Sequence, residues 1–345
     1  MSASHIEEAL IKHPEAKAVL ITSPNYYGVC SDIEKISEIV HAHGKILIVD
    51  EAHGAHLAFM DKIAPSRGDI KNQHSKAQKL AAEASGADIA ILSTHKTLAS
   101  FTQTAILLVC SDRVDVDTIA NNLQILQSSS PSYILMASLD LNARIIEENG
   151  DALFKEWQAD LDYAYEELRK IQGLELLEME LLDRTKLVFG LSEIGISGYE
   201  LDALLRERGI FCELSDSRFV MAMSGIGSKR KDYELLISAL NEIAEQACES
   251  GRNSARREED EIVLMDELYR HGEIFDVPSE TERIVARECE GKISAQALIP
   301  YPPGIPIIVP GERIDSEKIR VLEKLHKDGV SVIGLDGNGK ILCGR

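Results

Sequence analysis

Short apolar runs and segments of helical spacing alternate through the first half of the chain. Residues 4–13 carry a helical pattern. "KAVLIT" (17–22) is a brief apolar run that stops in the turn-rich "SPNYYG". In "SDIEKISEIVHAHG", Ser31 or Asp32 caps a helix, Ile33, Ile36, Ile39 and Val40 recur at helical spacing, and Gly44 stops it. Further apolar runs lie at "KILIVD" (45–50), "DIAILS" (88–93) and "TAILLVC" (104–110), with a helix predicted near 75–84. Short apolar strands separated by helices predict an α/β fold with a mostly parallel sheet covered on both faces.

Beyond this the pattern changes. "LQSSSPSYILMASLDLNARIIEE" (126–148) opens a long helical region. In residues 185–246, "TKLVFGL", "GIFCEL" and "RFVMAMS" read as strands, and "SGYELDALLRERG" and "SKRKDYELLISALNEIAEQ" read as helices. This predicts a smaller α/β domain with sheet and helices on separate sides. The amphipathic stretches at 151–171 and 230–246 read as packing faces. The charged "CESGRNSARREEDE" (248–261) marks a linker to a C-terminal α+β segment. That segment holds the proline-rich "IPYPPGIPIIVPGERI" (299–314), a helix near 315–327 and a hairpin turn at "GLDGNGK" (334–340). The expected domains are 1–150, 151–250 and 251–345.

Composition narrows the function classes. At 345 residues and 44% hydrophobic, the chain is globular and large enough for two or three domains. A formal net charge of −20 argues against nucleic-acid binding, because "GSKRKD" (227–232) is a short solvated run and no basic patch. The six cysteines are scattered without a C-x-x-C pair, which fits reduced thiols better than disulfides or zinc. His53 and His56 lack companions at metal-ligand spacing. No signal peptide or membrane-spanning run is visible, so a soluble, cytoplasmic protein is expected.

Two places carry candidate chemistry. "ILIVDEAHGAH" puts Asp50 at the carboxyl end of one strand, and "AILSTHK" puts Ser93, His95 and Lys96 just past another. Ligands of open α/β sheets bind outside those ends, so an acid and an amine from separate strands face one pocket. A lysine that loses its proton in a partly desolvated pocket forms Schiff bases. Pyridoxal 5'-phosphate (PLP) is the standard partner, its pyridine nitrogen kept protonated by an acid. Lys96 suits the first role and Asp50 the second, although Asp50 also suits a helix cap. Ser93 and His95 are placed to hold the phosphate, Ala52 is small enough to lie against a ring, and His53 reaches the ring hydroxyl. Tyr26 and Tyr27 line the pocket or pack in the turn. "GIGSK" (225–229) lacks phosphate-loop spacing and reads as a turn plus helix start. His41 and His43 suit a helix C-terminus.

The set "SPNYYG…VDEAHGAH…STHKTL…SPSYILMASLD…ISAQALIPYPPGIPIIVPGE" resembles the bacterial Orn/Lys/Arg decarboxylase family, fold type I PLP enzymes, over nearly the whole chain. The resemblance implies decarboxylation of lysine, arginine or ornithine. It makes Lys96 the covalent anchor, Asp50 the pyridinium partner, Ser93 and His95 phosphate contacts, and Ala52 a ring contact. His95 or Lys96 would return a proton to Cα. It also implies a homo-oligomer, with Ser128 to Ser130 reaching a neighbouring subunit. Family members carry more of the large domain upstream, including a phosphate-cradling loop and a ring-stacking aromatic residue. The expectation is therefore a large domain lacking its N-terminal part: a fragment of a longer frame, half of a two-chain assembly, or a degraded paralogue serving only as a binding partner. An α-oxoamine synthase-like transferase also places "DEAH" after a strand, but "STHKTL" and "PYPPGIP" speak against it.

Overall fold

The computed structural model describes residues 1–63, 79–250, 272–301, 304–327 and 330–345. Two compact units form, Met1–Glu213 with Ser217–Arg252, and Leu214–Asp216 with Asn253–Arg345.

The first unit opens with helix α1 (Ala3–Lys12), strand β1 (Ala18–Thr22), helix α2 (Ile33–Ala42), strand β2 (Ile46–Asp50) and helix α3 (Leu57–Ile63). The Asp32 carboxylate caps α2 by accepting from the Lys35 amide. Strands β3 (Ile89–Leu92) and β4 (Ile106–Val109) complete a sheet ordered β1-β2-β3-β4, parallel except for antiparallel β4 at the edge. The predicted mostly parallel α/β arrangement is the one observed. Ile6 and Leu10 of α1 and Ile33, Ile36 and Val40 of α2 pack with Leu47 and Val49 of β2. Alternate burial along β2 marks one packed face. Coverage of both faces is not seen among the described residues: Leu20 of β1 is 66% exposed, and Ile106 of β4 also stays accessible.

One helix starts later than its sequence pattern predicted, and a helix before it was not predicted. Helix α5 (Val116–Leu126) is already over where the long helical region was expected to start. Six residues containing Pro131 intervene before α6 (Tyr133–Leu168), which Ser132 caps. Proline disfavours helix at the preceding residue, so the long helix starts at Tyr133 and not at 126. The predicted helix near 75–84 is a single 3₁₀ turn at Ala82–Ala84, and residues 75–78 lie outside the described set.

The α6 helix brings Phe154, Trp157, Leu161, Tyr165 and Leu168 into a core with Leu187 and Phe189 of β6 (Lys186–Gly190) and Leu240 and Ile243 of α8 (Arg230–Glu249). Strand β5 (Glu175–Leu176) pairs antiparallel with β6, and β6 pairs antiparallel with β8 (Val220–Met223). Between β6 and α8 lie helix α7 (Gly198–Glu207) and strand β7 (Leu214–Ser215). "GIFCEL" was predicted as a full strand, yet only Leu214 of it is extended in a ladder. A turn at Gly209 precedes irregular backbone, and Phe211 is exposed. "GIGSK" is a turn before α8, as expected.

In the second unit, β9 (Thr281–Val285) pairs antiparallel with β12 (Lys340–Gly344), and β10 (Ile299–Tyr301) with β11 (Ser331–Ile333). Helix α9 (Ser316–Lys327) supplies Ile319 and Leu322 to a core with Leu298, Ile308 and Ile341. "GLDGNGK" turns the chain, but its flanking strands β11 and β12 join different sheets, so no hairpin forms. Residues 251–261 of the expected linker, and Pro302 and Pro303, lie outside the described residues. All six cysteines are free thiols. Among the described residues no helix is long and apolar enough to cross a membrane.

Candidate active site

The register of the parallel strands brings Thr22, Asp50 and Ile91 abreast. The loops after β1, β2 and β3 therefore leave the sheet side by side. After β3, Ser93 is extended and starts a one-turn helix, α4 (Thr94–Thr97). Thr94 and Thr97, three apart, turn inward and are buried, which leaves His95 and Lys96 half-buried. Thr94, Ser100 and Thr104 share a buried hydroxyl cluster. His95 Nδ1 lies 2.8 Å from the Thr104 carbonyl and donates to it.

After β2, Asp50 Oδ1 accepts from the Ala52 amide at 3.0 Å. The chain turns tightly over the buried Glu51, which accepts from the Ala82 amide. Gly54 permits the turn: a Cβ there would lie 2.6 Å from Glu51 Cγ. The turn delivers His53, 6% exposed, with Nε2 3.0 Å from Lys96 Nζ. His53 Nδ1 is buried and has no hydrogen-bond partner among the described residues. The loop after β1 closes this side. The Tyr26 ring lies 4.7 Å from that of His53, and its hydroxyl donates to Glu213 at 2.7 Å.

Electrostatics follow from burial. Desolvation pulls the Lys96 amine below its ordinary range, Asp50 and Glu213 oppose it, and Lys186 adds to it. Burial, then the Lys96 and Lys186 charges, push His53 down to about 4. His53 is therefore neutral at pH 7 and protonates more readily in the unfolded chain. Between about pH 6.5 and 4 the unfolded state binds more protons, so stability falls as pH drops through this window. His53→Gln is expected to flatten that fall in urea midpoints measured across it.

Five buried residues beneath the site were missed by sequence reasoning as a functional set. Asp183 Oδ1 lies 3.0 Å from His56 Nε2, and Asp183 Oδ2 accepts from Lys186 Nζ at 2.9 Å. Lys186 also donates to the Thr185 hydroxyl and, at 3.2 Å, to the His53 carbonyl. His56 Nδ1 meets the Thr97 hydroxyl at 3.1 Å. The available signal was Lys186, a charge opening the apolar strand "KLVFG" with an acid three residues before it. Of the other sequence candidates, His41 pairs with buried Asp88 at 2.9 Å, a structural role. Ser128 to Ser130 are exposed between α5 and α6. Among the described residues no cluster of His, Cys, Asp or Glu is arranged to hold a metal ion.

The pattern of the Orn/Lys/Arg decarboxylase major domain matches residues 1–189, and that of the Orn/Lys/Arg decarboxylase C-terminal domain matches residues 272–329. The chain belongs to this family. An arginine decarboxylase of Bacillus subtilis (strain 168) is 33% identical over 339 residues, covering 95% of this chain and 65% of the relative. A lysine decarboxylase of Pseudomonas aeruginosa is 23% identical, covering 91% of this chain and 53% of its own length. The fold matches the crystal structure of a Francisella novicida lysine decarboxylase with a TM-score of 0.70 at 18% identity, over 99% of this chain and 60% of that one. The chain spans just under two thirds of the length of the Bacillus relative. The family is one of fold type I PLP-dependent enzymes.

Proposed function

We propose that this chain supplies the lysine-bearing wall of a PLP site and takes part in decarboxylating a basic amino acid. The observation that carries the reading is Lys96: a half-buried amine of lowered basicity, 3.0 Å from a neutral imidazole, beside a strand ending in Asp50.

The donor set fits the cofactor. Lys96 has the depressed amine that covalent attachment to a carbonyl needs. Asp50 offers a carboxylate for the pyridine nitrogen. His53 Nδ1, buried and unpartnered, is the kind of group a ligand oxygen relieves. In this reading Lys96, Asp50, Ala52, His53, Ser93 and His95 hold the cofactor, with Ser93 and His95 toward the phosphate. PLP bound there supplies an electron sink for the charge left on Cα when the carboxylate departs. Asp50 holds a proton at the ring nitrogen, His53 orients the ring hydroxyl, and Lys96 or His95 delivers a proton to Cα. Glu213, within electrostatic reach of Lys96, suits a substrate with a cationic side chain. Exposed Ile125, Leu126, Tyr133 and Ile134 on α5 and α6 support assembly as a homo-oligomer.

The test is carbon dioxide release from carboxyl-labelled arginine, lysine and ornithine by protein supplied with PLP, with Lys96→Ala as control. Arginine is expected to lead, following the name of the Bacillus relative. Release that Lys96→Ala leaves unchanged sinks the assignment. Cofactor binding without release from any of the three favours a non-catalytic binding role.

A further inference from the structure

Residues 182–186 lie far in sequence from the three loops that form the site, yet they touch the first two and reach the third through His56. The Asp183 amide donates to the Gly28 carbonyl at 2.8 Å, in the loop after β1. Gly28 has φ +85, and a Cβ there would lie 2.9 Å from Lys186 Cγ, so this turn packs directly on the lysine stem. Lys186 Nζ holds the His53 carbonyl, in the loop after β2. Asp183 reaches the turn after β3 through His56 and the Thr97 hydroxyl, one residue from Lys96. Lys186 has no solvent exposure and Asp183 only 2%.

We propose that the Asp183–Lys186 pair is a positioning device, tying the loops after β1, β2 and β3 together so that Lys96 is held against His53. The inference rests on the reading of Lys96 as the cofactor-bearing amine. The physical case is reach and rigidity. A fully buried charge pair has few geometries that satisfy all its hydrogen bonds. Here the satisfied geometry includes one backbone carbonyl from the His53 loop and, through His56, one side chain from the Lys96 turn. Moving either loop breaks a bond inside the buried network. Asp183 and Lys186 thereby act on Lys96 through His53, His56 and Thr97. Lys186 also places a second cation near the amine. Among the described residues, the groups that act on Lys96 are Asp50 from β2, Glu213, Lys186 from β6, and His53 from the loop after β2.

The test reads Lys96 directly, without cofactor or substrate. Protein is treated with a trace of acylating reagent across a pH series, and labelling of Lys96 is quantified by mass spectrometry against exposed lysines. In the wild type Lys96 is expected to label at lower pH than those lysines. The charge-neutral double variant Asp183→Asn/Lys186→Met is expected to cut Lys96 labelling about tenfold near pH 8, as like charge and desolvation are both relaxed. Lys186→Arg, which keeps the cation and its donors, is expected to restore most of it. Thr97→Val removes only the His56 link and is expected to give a smaller loss in the same direction. If the double variant lacks the circular dichroism of the folded chain, Thr97→Val decides the matter alone. A depressed wild-type profile that the folded variants leave unmoved overturns the positioning role. A wild-type Lys96 that labels like an exposed lysine overturns the reading of Lys96 itself.

Discussion

Lys96→Ala is expected to abolish the visible absorbance that the protein gains with PLP, and to lower carbon dioxide release by at least roughly a thousandfold. Lys96→Arg is expected to lose both as completely. The pair of variants separates charge from nucleophilicity. Arginine keeps a cation beside Asp50 and Glu213 but does not deprotonate in proteins, so it cannot attack a carbonyl. Burial and Lys186 oppose the charge of Lys96, while Asp50 and Glu213 favour it. The amine therefore sits in a balance that lysine alone can exploit. Spectral titration of the two variants beside the wild type checks this. An arginine variant that keeps the absorbance would place the covalent anchor elsewhere.

The second large effect is on stability. Asp183→Ala is expected to destabilise the fold by about 3–5 kcal/mol, because it leaves a buried ammonium facing only a hydroxyl and a carbonyl. Urea denaturation gives the number. Removing the partner as well, in Asp183→Ala/Lys186→Met, is expected to recover most of the loss, since no unpaired charge then remains. Burial by itself raises the Asp183 carboxyl, but His56 and Lys186 more than offset it and hold it far below the usual carboxylate range. The unfolded carboxyl protonates near ~4. The stabilisation is therefore complete above that pH and drains away as pH falls toward the depressed folded value. An Asp183→Ala variant should lose this acid-side dependence along with the stability. A variant as stable as the wild type would mean that Lys186 finds water or another partner.

Much of the architecture was legible because burial writes itself locally. Ile33, Ile36 and Val40 recur at the period of one helix face, and each is buried. The strand ends mattered most. Asp50 and the "STHK" run close apolar runs, and a parallel sheet aligns the ends of its strands, so their convergence followed from topology. Where reading failed, the competing cause was local and invisible to periodicity. Pro131 delays the start of the long helix to Tyr133, and Leu214 alone of "GIFCEL" enters a strand.

The amino-acid sequence by itself determined the family, the mostly parallel sheet, and the identities of the acid and amine at its edge. These depend on residue type and spacing over a few turns of chain. Only the tertiary structure decided that His53 meets Lys96 at 3.0 Å and that Asp183 and Lys186 lie beneath them. The separation between His56 and Asp183 is 127 residues, and no periodicity reports a contact of that range. Such a contact is set by how three loops and a strand pack around charges that must be satisfied once water is gone.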